Sequence, residues 1–154
     1  TDFDRGMTYS VGTIEGGTFV NVMPIRCRAQ VLTVAPTEAI FDEVSERMAG
    51  LAGESDGIKI TVERGPVRPL WKPHRATMAL FERAHGIAAK IGFELQHGSF
   101  GGGSDGNFTG AMGVATLDGL GVDGAGAHTF EEHLLVSSIV PRLRLFTELL
   151  DTLD

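Results

Sequence analysis

The chain has 154 residues, a formal net charge of −7, and 42% hydrophobic against 21% charged residues. That length fits one ordinary domain or two small subdomains, and the composition fits a soluble globular protein rather than a disordered one. The acidic balance argues against a nucleic-acid partner held through phosphates, and no apolar run approaches the roughly 18–20 residues that span a bilayer.

The first ten residues, TDFDRGMTYS, are polar and acidic, so they are not expected to be a signal peptide. The chain starts without methionine and enters a strand almost at once, which suggests a fragment or processed form. Cys27 is the single cysteine, so an intrachain disulfide and a zinc–thiolate cluster are both excluded. It reads as a reduced core residue rather than a nucleophile, and the expected compartment is the cytoplasm.

Residues 7–14, MTYSVGTI, read as a strand, and Glu15-Gly16-Gly17 as the turn after it. Residues 26–34, RCRAQVLTV, read as a second strand. Its Cys27, Ala29, Val31 and Thr33 alternate with Arg28, Gln30, Leu32 and Val34, predicting one strongly buried and one mixed face. Pro36-Thr37 opens a helix with Ile40, Phe41, Val44, Met48 and Leu51 on one stripe. Thr37 is its expected N-cap, and Glu38 and Asp42 suit the positive end of its dipole. Residues 53–57 end this unit, and residues 57–63, GIKITVE, alternate as a strand. The first part is therefore expected as β-β-α-β.

Residues 64–74, RGPVRPLWKPH, hold three prolines and cannot be helix interior. They read as the crossing between two subdomains, residues 1–70 and 71–154. A helix follows over residues 75–91, with Met78, Phe81, His85, Ala88 and Ile91 on one side and Gly92 as C-cap. Short strands are expected at 93–96 and near 114–117. The last helix, SSIVPRLRLFTELLDTL, has Pro141 in its first turn and Ile139, Leu143, Phe146 and Leu150 as its buried stripe. The alternation is that of an α/β layered fold.

Chemistry concentrates in residues 101–133, GGGSDGNFTGAMGVATLDGLGVDGAGAHTFEEH. Glycine lets backbone approach a ligand closely, and a histidine at the end of such a run can present a ring nitrogen to a metal or a reacting group. His128 holds that place. A catalytic zinc needs three or more protein ligands, so one histidine is not a metal site. Asp105 could orient a ligand or hydrogen-bond its own loop. Backbone N–H groups of residues 101–104 could cradle a carboxylate, but the spacing of a dinucleotide or phosphate loop is absent. His74, His85, His97 and His133 show no metal spacing and read as surface or packing residues. Asn21, Arg26, Arg28, Arg64 and Arg68 lie on or near strand ends, where arginine either recognises a carboxylate or is solvated.

Two segments together resemble the aminoacylase/glutamate-carboxypeptidase family of zinc metallopeptidases. VGTIEGGTFVNVMP is similar to the GG-x-x-x-N-x-x-P hairpin of that family's dimerisation domain. GGGSDGNF, GLGVDGAGAHTFEEH and SSIVPRLRL resemble the C-terminal end of its catalytic domain, in the right order. The resemblance implies a truncated two-subdomain zinc-exopeptidase-like architecture. Residues 1–70 would be a partial lid or dimerisation domain, and residues 71–154 the C-terminal part of the catalytic domain. It implies His128 as a ligand of one of two zinc ions. It implies Asn21, Arg68, Gly101, Gly102 and Gly103 as substrate-binding residues, and a homodimer formed through the lid. The implied reaction is amide hydrolysis of a peptide or N-acyl amino acid by zinc-activated water with a glutamate base.

The departures are equally specific. The family's H-x-D motif, bridging aspartate and catalytic Glu-Glu pair are missing, so no catalytic residue is expected in this chain. Glu131-Glu132 follows the histidine and is not that pair. The lid's first strand and helix are also missing. Val34 stands where a second arginine is often found, which disfavours a glutamate-type substrate. The chain alone is therefore expected to be inactive. The alternative expectation is a non-catalytic dimerisation or ligand-binding module, associating through an exposed strand edge.

Overall fold

Strands β1 (Thr8–Gly16) and β2 (Cys27–Val34) pair antiparallel, from Thr8 opposite Val34 to Gly16 opposite Cys27. Gly12 is the extra residue of a bulge between Val11 and Thr13. This is a computed structural model, and it describes residues 1–153. Glu15 and Gly16 belong to the ladder, opposite Arg28 and Cys27, so the turn starts later than the Gly-Gly signal predicts. Gly17, at φ +81°, opens a ten-residue connection, 17–26.

The chain divides into two units. The first is Thr1–Leu70 with Phe100–Gly102; the second is Trp71–Ser99 with the residues from Gly103 on. In the first unit β2 has no strongly buried face. Cys27, Ala29 and Leu32 are exposed, and only Val31, Thr33 and Val34 are half-buried. A two-stranded ribbon has too little material to cover either side. Cys27 is therefore a surface thiol, contrary to its expected place in a core.

Helix α1 (Glu38–Ala49) starts where its cap predicts, with Thr37 Oγ1 accepting from the Ile40 N–H at 3.3 Å. Val44 is buried, Ile40, Phe41 and Met48 are half-buried, and Leu51 lies exposed beyond the helix. The Arg64 guanidinium stacks 4.8 Å from the centre of the Phe41 ring. Strands β3 (Gly53–Ser55) and β4 (Ile58–Ile60) make a small hairpin. Asp56 and Gly57 both take positive φ in its two-residue turn, the geometry such a hairpin demands. The strand expected over 57–63 thus shrinks to three residues with a partner the alternation does not announce.

In the second unit helix α2 (Arg75–Ile91) runs over the expected residues and ends at Gly92, left-handed at φ +104°. His74 is its N-cap: Nδ1 accepts from the Ala76 N–H at 3.2 Å. Helix α2 buries Thr77, Phe81, Ala84, Ile87 and Ala88, while His85 stays exposed beside the Phe81 ring. Helix α3 (Gly106–Ala111) is followed by a two-residue ribbon, β5 (Gly124–Ala125) with β6 (His133–Leu134), and then by helix α4 (Val136–Leu150).

Helix α4 packs on α2 through Leu145 and Leu149, which join Phe81, Ala84, Ile87, Ala88 and Leu95 in the core. The stripe expected to be buried, Ile139, Leu143, Phe146 and Leu150, is instead between 39% and 61% exposed. The burial runs along Ser138, Leu145 and Leu149, offset around the helix by roughly one residue. Pro141 lies in the second turn rather than the first, because the helix begins at Val136. Residues 93–96 and 114–117 form no strand, since neither finds a neighbour to pair with, although Leu95 is buried. The mixture of helices and short strands is that of an α/β protein. Among the described residues no helix is long and apolar enough to cross a membrane.

Candidate functional site

The glycine-dense segment folds into a hairpin with His128 at its tip. Gly124 and Ala125 face Leu134 and His133 across the ribbon. A Cβ on Gly124 would overlap the His133 carbonyl oxygen, and one on Gly126 would stand 2.8 Å from that of Glu131. These two positions take glycine because the two chains approach too closely for a side chain. Gly126 also takes φ +72°.

Thr129 closes the turn. Its N–H donates to the Gly126 carbonyl at 3.0 Å and its hydroxyl to the same oxygen at 2.6 Å. That hydroxyl accepts from the Glu131 N–H at 3.1 Å, and the Glu132 N–H donates to the Thr129 carbonyl at 3.2 Å. His128 stands inside this turn at φ +64°, with its N–H donating to Glu132 Oε2 at 3.3 Å. Its side chain is exposed. Among the described residues the imidazole has no hydrogen-bond or ion-pair partner, so both ring nitrogens are available.

The base of the hairpin is tied to α4. The Leu135 N–H donates to the Asp123 carbonyl at 2.7 Å, and the Asp123 N–H donates to Ser138 Oγ at 2.9 Å. The Asp123 carboxylate pairs with Arg142 Nη2. The Arg142 side chain is only 16% exposed and lies 5.2 Å from the Phe93 ring centre. Its Nε and Nη1 are buried without a hydrogen-bond partner among the described residues, which makes Asp123 its chief electrostatic support there.

The first glycine cluster is ordered by side-chain-to-backbone bonds. The Ser104 N–H donates to Asn107 Oδ1 at 2.8 Å, and the Gly106 N–H donates to Ser104 Oγ at 2.9 Å. Trp71 packs against Gly106 and Gly110 of the short helix that follows. The sequence reading passes over Trp71. The available signal is a lone tryptophan together with glycines four apart, a spacing that leaves one helix face bare for a ring.

The other expected site residues are distributed between the units. Asn21 is exposed in the connection 17–26, and Arg68 is exposed in the extended segment before α2. Gly101 and Gly102 belong to the first unit, where a Cβ on Gly101 would meet Val34 Cγ1 at 3.4 Å. Gly103 and His128 belong to the second. His133 sets Nδ1 2.8 Å from the Glu131 carbonyl, and His97 packs edge-on to Phe81 at 4.8 Å.

A side-chain hydrogen bond from Arg5, with its charge and that of Arg47, holds the Glu43 carboxyl below its ordinary value. The same hydrogen bond raises Arg5.

A catalytic metal takes three or more protein ligands. Among the described residues no group of three or more His, Cys, Asp or Glu is placed to hold one. His128 offers a single donor, so these residues do not fit a metal by themselves.

Residues 4–152 match the sequence model of Peptidase family M20/M25/M40. No curated protein matches the chain.

Proposed function

We propose, for a chain that belongs to Peptidase family M20/M25/M40, that it is the C-terminal portion of a zinc-dependent metallopeptidase or amidohydrolase of the aminoacylase/glutamate-carboxypeptidase type. The family makes the protein a hydrolase. The finer reading is that the whole enzyme cleaves the amide bond of a peptide or N-acyl amino acid, with His128 as one zinc ligand and the other ligands lying outside these residues. The observation that carries it is the His128 tip: an exposed imidazole without a partner among the described residues, on a turn closed by five hydrogen bonds. A ligand needs a free nitrogen and a fixed backbone, and this turn supplies both.

In this reading residues 1–70 are the partial lid, through which two copies associate. Asn21, Arg68 and Gly101 to Gly103 touch substrate. The chain's own contribution is to orient: the turn aims the imidazole, and the glycine backbone admits substrate where a side chain would block it. The chain by itself is inactive, because one nitrogen donor does not bind a catalytic metal.

A second reading, a non-catalytic dimerisation or ligand-binding module, draws support from the β1–β2 ribbon, where Val11, Ile14 and Leu32 are more than half exposed. The test is hydrolysis of a panel of N-acyl amino acids and dipeptides by the product of the complete reading frame. The enzyme reading predicts turnover that chelation abolishes and zinc restores, and that H128A lowers by at least about a hundredfold. No turnover, with dimers on sizing, would favour the module.

A further inference from the structure

We infer that Glu132 is the positioning residue of His128: its carboxylate holds the His128 N–H and keeps that residue in the left-handed conformation that presents the imidazole at the hairpin tip. For its functional consequence this rests on the reading of His128 as a ligand. For its structural content it does not.

Only two described non-glycine residues take positive φ, Asp56 and His128. Asp56 sits in a two-residue hairpin turn that demands it, next to Gly57. His128 lies in a longer connection between β5 and β6, where left-handed backbone carries a cost that its surroundings must offset. The group in place to do so is Glu132, whose Oε2 accepts from the His128 N–H at 3.3 Å.

The backbone that carries the acceptor is itself fixed. The Glu132 N–H donates to the Thr129 carbonyl at 3.2 Å, and strand β6 starts at the next residue. Glu131, one residue earlier, meets the turn through its backbone: its N–H donates to Thr129 Oγ1 and its carbonyl lies against the His133 ring, whereas the bond to the His128 N–H is made by Glu132 Oε2. A carboxylate also accepts more strongly than a neutral oxygen, which suits it to a strained N–H. The bond is to the backbone, so the ring nitrogens of His128 stay free.

The experiment is amide hydrogen exchange at His128 by NMR, on the wild-type chain, E132Q and E132A, without metal. Loss of a charge-assisted hydrogen bond should speed exchange about tenfold or more in E132A. In E132Q an amide oxygen still accepts, and exchange should stay within about threefold of wild type. An unchanged rate in E132A overturns the proposal. Should E132A fail to fold, the E132A/H128G double variant must recover, since glycine takes φ +64° without strain; failure to recover also overturns it. The two readings fail separately. Unchanged zinc content in H128A made from the complete reading frame defeats His128 as a ligand and leaves the exchange result standing.

Discussion

The indole of Trp71 fills the space in which a side chain at Gly110 would stand. Gly110 is buried, and the ring also meets the Gly106 position, so the short helix α3 is seated on tryptophan. Alanine at 110 would gain roughly 1 kcal/mol of helix propensity but must displace a half-buried ring. We expect G110A to be destabilised by about 1–3 kcal/mol, the usual cost of overpacking. Urea denaturation checks this; a neutral or stabilised G110A would show that the ring moves freely.

The hairpin that carries His128 is anchored through Asp123 and Arg142. D123A leaves a mostly buried guanidinium without its carboxylate, with Nε and Nη1 already unpaired. We expect a loss of about 1–3 kcal/mol, partly recovered in D123A/R142M, where no charge remains to be satisfied. Additivity of the two substitutions in denaturation would contradict the coupling.

The Arg5–Glu43 pair predicts a pH dependence with a definite sign. Its hydrogen bond lowers the folded pKa of Glu43 below the ordinary 4.5, so the stabilisation is present above that value. It is lost as pH falls through the depressed folded pKa. The pair is substantially exposed, so the effect is small and salt-sensitive. The difference in melting temperature between wild type and R5A should shrink between about pH 6 and about pH 3. A difference that grows on acidification would reverse the assignment.

Local signals were the legible part of this sequence. The Thr37 cap, the Gly92 stop and the long periodic run of α2 depend on neighbours a few residues away, and they stand where the residues place them. Partner-dependent features were not. Val114 to Leu117 and Phe93 to Gln96 are β-prone but find no strand to pair with. Helix α4 is apolar on more than one side, so its sequence permits several stripes, and packing on α2 selects the one through Leu145 and Leu149. Cys27 is exposed because a two-stranded ribbon buries neither face. At the candidate site, glycine density marks a loop and the order of motifs singles out His128, but neither the β5–β6 ribbon nor helix α3 is expected from the residues. The Asp123–Arg142 anchor joins residues 19 apart and depends on tertiary placement, which no local spacing encodes; the Glu132 bond needs the turn to be formed first, and the Trp71 seat is announced only by glycines four apart.

The central claim is that His128 supplies one ligand to a metal whose remaining ligands lie outside these residues. Its most direct test is zinc stoichiometry, by metal analysis after equilibrium dialysis, on three proteins: the 154-residue chain, the product of the complete reading frame, and that product carrying H128A. The account predicts no stoichiometric zinc on the chain alone, bound zinc on the complete product, and loss of about one zinc per chain or more in H128A. Equal zinc content with and without His128 would contradict it.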